Sequence, residues 1–181
     1  MTTDYGPLEL LIGRWEGDAG LDVAPEPAGE VHNPYRETIE FCAIGDVTNA
    51  GHQTLAAVQY RQRVSRLSDG KVFHDESGYW MWDAERQRIM QSLVIPRGVC
   101  LLAGGHVENT EDGVRLQVAA GNGEWGIVQS PFMHEHARTC RFEHWIEVGG
   151  DRLSYAETTI IEVYGRRFVH TDRNELSRDR H

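Results

Sequence analysis

The sequence predicts an all-β protein: an antiparallel, up-and-down barrel of about ten strands with a short helical turn at its N-terminus. Three observations carry this expectation. Short runs of alternating apolar and polar residues recur at regular spacing. Hairpin-length turn signals separate them, among them Ser68–Asp69–Gly70, Pro96–Arg97–Gly98, Glu111–Asp112–Gly113 and Gly149–Gly150–Asp151. No helical pattern of roughly 10–15 residues lies between the runs, which argues against a parallel βαβ sheet.

The elements follow in order. Pro7 to Ile12 is short and apolar, with Asp4 before it as a cap, and fits one or two helical turns. Gly13–Arg–Trp15–Glu–Gly17–Asp–Ala–Gly20 follows. Glycines around a tryptophan suit a strand that bends or meets another backbone closely. Ala24 to Pro34 holds Pro25, Pro27, Gly29 and Pro34, and reads as an exposed loop. Alternation resumes over Thr38–Phe41 and Thr54–Val64. Further strands are expected at Val72–Met81, Arg88–Ile95, Val99–Leu102, Val114–Ala119, Gly126–Gln129, Arg138–Val148, Leu153–Val163 and Arg167–Asp172. Hairpin connections favour a closed meander, because closure removes exposed strand edges. With no repeat and no linker, residues 1–181 are expected to form one barrel domain. A barrel of this size can enclose one small molecule, so a ligand in an internal pocket is the expected partner.

Composition narrows the partners. The net charge of −10 leaves no basic stripe for nucleic acid and none for an anionic membrane surface. No apolar run approaches the roughly 20 residues of a membrane span, and no signal-peptide pattern opens the chain. A cytoplasmic protein is therefore expected, with no nucleic-acid or membrane partner. Such an acidic barrel can form a homodimer, although the sequence locates no interface. Cys42, Cys100 and Cys140 are far apart and odd in number, so each is expected to be a small buried residue rather than half of a redox pair. There is neither a G-x-S-x-G elbow nor a glycine-rich phosphate loop, and no catalytic residue is assigned. Glu40 and Asp75–Glu76 read as solvated strand positions. Trp15, Trp80, Trp82, Trp125 and Trp145 would serve a core or a ligand wall equally well.

Histidines are the candidates for chemistry. In Phe168–Val–His170–Thr–Asp172, alternation puts Phe168, His170 and Asp172 on one face. Turned inward, His170 could hold a haem iron through one ring nitrogen. Turned outward, it is an ordinary strand histidine. His74 shares a face with Glu76 and Gly78 and would donate to a ligand if that face lines a cavity; otherwise it is a rim residue. His134–Glu–His136 has the spacing of two metal ligands in a strand, but no third ligand accompanies it and the flanking residues read as loop.

Several of these segments resemble one known family. Leu10–Leu–Ile–Gly13–Arg–Trp15–Glu–Gly17 resembles the G-x-W-x-G-x-G signature of the nitrobindins, with Gly13, Trp15 and Gly17 as its structural residues. His74–Asp–Glu–Ser–Gly–Tyr79 resembles that family's H-A-E-S-G-Y segment. Pro96–Arg–Gly98–Val resembles its P-T-G-V turn, and Gly150–Asp–Arg–Leu153–Ser–Tyr155 resembles its G-x-L-x-Y strand start. His170 falls where the family's last strand carries its iron ligand. The resemblance implies a ten-stranded barrel of the calycin and fatty-acid-binding-protein kind, with a pocket at one end. It implies a ferric haem b whose iron would be held by His170, with His74 also in the cofactor-binding set. It also implies nitric oxide binding and isomerisation of peroxynitrite to nitrate.

The chain departs from the pattern in three places. Ala19 stands at the third glycine, with Gly20 one position later, and Asp18–Pro34 is longer than the family's first turn. Between Tyr155 and His170 lies one residue more than the pattern has. Polar Thr171–Asp172–Arg173 follows the histidine. Because one residue reverses a strand's faces, two readings of the pocket stay open. One is a haem protein. The other is a haem-free carrier or sensor of a small apolar or amphipathic molecule, its pocket lined by Gln53, Gln59, Gln91 and His74.

Overall fold

The structure, a computed structural model, describes residues 3–180. Among them the alternating runs become β1 (Gly13–Glu26), β2 (Gly29–Asn49), β3 (Gln53–Arg66), β4 (Val72–Asp83), β5 (Arg88–Ile95) and β6 (Val99–Asn109). Then come β7 (Val114–Ala120), β8 (Ile127–Gln129), β9 (Ala137–Gly149), β10 (Arg152–Val163) and β11 (Arg166–Asp179). A 3₁₀ turn spans Gly6–Leu10, and one helix, α1, spans Pro131–His136. Ten of the strands form an antiparallel meander that closes where β1 pairs with β11 and β5 with β6. The three-residue β8 is added to β6 beside the end of β7. Gln129 then bridges to β9 by its side chain: its Nε2 donates to the Thr139 carbonyl at 3.0 Å and its Oε1 accepts from the Thr139 N–H at 2.9 Å.

One end of the barrel is filled. Leu8 and Leu11 of the N-terminal turn are fully buried against Trp15, Phe41, Val58, Trp80, Ile89, Ile146 and Leu176. Trp15 Nε1 donates to the Leu11 carbonyl at 2.7 Å. Arg178 lies over the Trp15 ring at 4.2 Å and donates to the carbonyls of Ile12 (2.5 Å) and Leu10 (2.8 Å). The turn is thus locked into the barrel end as a plug, fastened by Trp15 and Arg178. Gly17 is required by close approach, because a Cβ there would meet the Glu175 carbonyl oxygen of β11.

Bulges decide what faces inward at the other end. Between Gly17 and Gly20, β1 carries one residue more than both β2 and β11. Inward positions are therefore odd before it (Trp15) and even after it (Gly20, Asp22). Gly20 leaves room for the Tyr35 ring. A second bulge at Phe73 in β4 lets both Phe73 and His74 reach the interior, and a third at Cys140 lies in β9.

Several expectations need correction. Ala24–Pro34 is not a loop but the tip of the long β1–β2 hairpin, turning at Pro27–Ala28. Pro25 lies beyond the last β11 pair and Pro34 before the first β3 pair, so each proline serves a strand with a single paired neighbour. Cys42 and Cys100 are exposed and Cys140 is half-buried, since Cys42 and Cys100 fall on the outward parity of their strands. His134 and His136 belong to α1, capped by Ser130 with Pro131 in its first turn, and at i, i+2 on a helix they diverge. Glu76 is buried rather than solvated.

Candidate functional site

The unfilled end of the barrel holds a cavity of about 370 Å³, within the range of small-molecule pockets. Its walls are mainly apolar: Val64, Phe73, Leu93, Ile95, Val99, Leu101, Phe142, Ile161 and Val163. Its polar groups include Asp22, His74, Glu76, Tyr155, Glu157, Thr159, His170 and Asp172 on β1, β4, β10 and β11, with Tyr35, Gln62 and Thr139 on β2, β3 and β9. Arg97, which donates to the Phe73 carbonyl at 3.1 Å, places one cation at the rim.

His170 faces the cavity. Pairing of β10 with β11 runs without a shift from Arg152 to Val163, so no bulge intervenes there and Phe168, His170 and Asp172 share one face. The ring nitrogen Nε2 is engaged: it lies 2.7 Å from Asp22 Oδ1 and 3.4 Å from Asp172 Oδ2. Asp22 is buried, and its other oxygen accepts from Asn33 Nδ2 at 2.6 Å. Burial raises the Asp22 carboxyl, but the hydrogen bonds from His170 and Asn33 and the His170 charge leave it below its ordinary value. Burial disfavours charge on His170 as well; the Asp22 hydrogen bond and the Asp172 and Asp22 charges more than offset it, so its pKa rises. Burial pushes Asp172 up to about 6, with His170 and His74 opposing and Asp22 adding to the rise. Donor atoms of Asp22, His170 and Asp172 lie within 4.8 Å of one another, the one such metal-competent group among the described residues.

His74 also lines the cavity, 3.4 Å from Glu76 Oε2. Behind it runs a buried chain. Tyr60 donates to Glu76 Oε1 at 2.5 Å, Gln91 Nε2 donates to the Tyr60 oxygen at 2.8 Å, and Gln91 Oε1 lies 2.9 Å from His144 Nδ1. Since the Gln91 oxygen can only accept, His144 carries its proton on Nδ1, and its buried Nε2 has no protein partner. Burial lowers His144 to about 4. On the opposite side, Glu37 accepts from Gln62 (2.6 Å) and Asn174 (2.7 Å), while burial pushes its carboxyl up to about 7. Tyr155 stands between, accepting from Gln62 at 3.1 Å and meeting the Tyr35 hydroxyl at 2.7 Å. Glu157 faces the cavity with the Thr159 hydroxyl at 3.3 Å, and burial holds its carboxyl well above the usual range.

The structure thus brings His170 and His74 to one cavity. Of the glutamines expected there, Gln53 bonds Asp83 at 2.7 Å, Gln59 is exposed and Gln91 belongs to the chain behind; Gln62 lines the cavity instead. Asp22, Glu76, Glu157 and Asp172 were not assigned from sequence. The one-residue displacement of glycine to position 20 was the available signal for Asp22, because an added residue in a strand reads as a bulge that reverses the following faces. The histidines of α1 stay outside the site, with His136 near Glu135 (3.8 Å) and Phe132.

No helix among the described residues is long and apolar enough to cross a membrane. No curated protein gives a significant match. Among solved structures, Rv2717c from M. tuberculosis superposes with a TM-score of 0.74 at 22% identity, over 98% of this chain and 100% of that one, a likeness of fold. A family model described as "THAP4-like, heme-binding beta-barrel domain" matches residues 4–178. With nearly its whole length under that model, and the signature segments in the places described above, the chain belongs to the THAP4-like haem-binding β-barrel domain family, the nitrobindins.

Proposed function

We propose that the cavity of this barrel binds a b-type haem, with His170 as the ligand to iron and His74 on the surrounding wall, and that the protein binds nitric oxide and isomerises peroxynitrite to nitrate. The observation that supports it most is the inward imidazole of His170 in an apolar-walled cavity of a chain belonging to a haem-binding family. The residues present fit such a group. Phe73, Leu93, Val99 and Phe142 offer apolar and aromatic wall, and Arg97 offers a rim cation to a carboxylate-bearing ligand. One exchange is required: the His170 ring nitrogen must give up Asp22. When bound, haem would supply an iron centre with an open coordination position. The chain's own part is to hold the ring through His170, to keep water out with its apolar wall, and to offer the His74 N–H to a ligand near the wall.

Adding hemin to the purified protein tests this. A Soret band displaced from that of free hemin, and removed by His170→Ala, supports the reading; a free-hemin spectrum refutes it. Nitrate yield from peroxynitrite, with and without hemin, tests the isomerase step.

A second reading is favoured by the 2.7 Å contact of Asp22 with His170 Nε2. In it the barrel carries a small amphipathic molecule without haem, its polar end among His74, Glu157 and Asp172. Native mass spectrometry of the hemin-free protein separates the two. On either reading the chain works as one barrel domain, in the cytoplasm.

A further inference from the structure

We propose that Asp22 competes with iron for the His170 ring nitrogen, and so sets how tightly this barrel takes haem. The inference rests on the haem reading above and adds to it a residue that the ligand histidine alone does not supply.

Asp22 is built into this position. The β1 bulge turns it inward, its direct cross-strand partner on β11 is Asp172, and its partner on β2 is Asn33. Two carboxylates facing each other across a sheet would repel. Here His170, two residues from Asp172 on the same face, compensates with an N–H aimed at Asp22 from 2.7 Å. Asn33 fixes the other Asp22 oxygen at 2.6 Å, so the carboxylate cannot swing away freely. Only 4% of the Asp22 side chain is exposed, so water is a poor substitute for the imidazole. Nε2 cannot hold both the carboxylate and an iron, so ligation must break a charge-assisted hydrogen bond in a shielded place.

Hemin titrations of the full chain test this by Soret absorbance and ferric EPR, which report the iron's own ligand. The proteins compared are the unmodified chain, Asp22→Ala, Asp22→Asn, Asp22→Glu and His170→Ala. Loss of the competing bond should tighten hemin binding by about tenfold or more in Asp22→Ala, with a smaller gain for Asp22→Asn, whose amide oxygen still accepts from the ring. Asp22→Glu, which keeps the carboxylate, should bind nearest to the unmodified chain. A variant that merely loosened the barrel would bind hemin less well, so the direction of change separates competition from structural damage. Equal or weaker binding by Asp22→Ala, with the band still abolished by His170→Ala, overturns the role of Asp22 and leaves the haem reading standing. A free-hemin spectrum from every protein overturns both. In the hemin-free chain, a hydrogen-bonded Nε2–H signal of His170 should be visible by NMR and shift markedly in Asp22→Ala, where only Asp172, 3.4 Å away, remains beside the ring nitrogen; its absence from the unmodified chain also overturns the proposal.

Discussion

Replacing Glu37 and His144 separately by glutamine should split the pH dependence of folding stability into two opposed halves. Glu37 is raised from 4.5 to about 7 in the fold. The folded chain therefore holds this proton more tightly than the unfolded one. Its contribution is complete below pH 4.5 and is lost as pH rises through 7. The shift corresponds to roughly 3 kcal/mol, at about 1.4 kcal/mol per unit. His144 is lowered from 6.5 to about 4, so the folded chain resists its protonation. That contribution is complete above pH 6.5 and is lost as pH falls through 4, again by roughly 3 kcal/mol. Between pH 4.5 and 6.5 the two slopes oppose and nearly cancel. Glu37→Gln should therefore lose up to about 3 kcal/mol relative to the unmodified chain as pH falls from 7 to 4.5. His144→Gln should gain a similar amount between 6.5 and 4. Tyr155 and Glu157 feel the Glu37 charge and Glu37 feels Asp172, so the test rests on the opposite signs of the two slopes rather than on their equal size. Urea unfolding followed by tryptophan fluorescence at half-unit steps of pH measures this; Trp80, with its ring 5.7 Å from that of His144, reports the same region. Profiles that stay parallel for all three proteins would refute the reasoning.

Other outcomes follow from single contacts. Gly17→Ala sets a methyl against the Glu175 carbonyl and should lower stability by about 2 kcal/mol, seen as a lower midpoint in the same urea assay; an unchanged midpoint would mean that β11 yields easily. Tyr60→Phe removes the donor to Glu76 and the acceptor for Gln91 inside the barrel, and should cost about 2 kcal/mol. Arg178→Lys keeps the charge but loses the planar stack on Trp15 and the paired bonds to Leu10 and Ile12. It should cost about 1–2 kcal/mol and change Trp15 emission, which a purely electrostatic role for Arg178 would not do. Gln129→Ala should speed amide hydrogen exchange at Thr139 while leaving exchange in the β10–β11 ladder unchanged.

The barrel was legible because most strands bury one face only. Leu153–Val163 shows this well: period-two alternation locates it within a residue of its ends, whereas Arg88–Ile95, with Ile89, Met90 and Gln91 all buried, is marked as a short apolar run between turns. The β1–β2 tip was not legible, because prolines at 25 and 34 argue locally against strand and only the pairing partners reveal that each has one neighbour to satisfy. That misreading hid Asp22, the residue that most changes the site. Glu76 was hidden for another reason. Alternation places it inward, but its charge argued for solvent, and the compensating Tyr60 hydroxyl comes from a neighbouring strand, 16 residues earlier in the chain. His170 was legible as a residue, whereas its surroundings were not, since they depend on a bulge that sequence shows only as a glycine displaced by one.

The side-chain bridge from Gln129 to Thr139 has a kinetic consequence. Beside β8 the wall near the cavity is joined to β9 by one side-chain amide and two hydrogen bonds, with no main-chain ladder between the two strands. Parting the wall there disturbs two bonds and leaves the main-chain pairing of β9 with β10 intact. Opening of the wall between β8 and β9 is therefore expected to be set by Gln129, a residue outside the cavity lining.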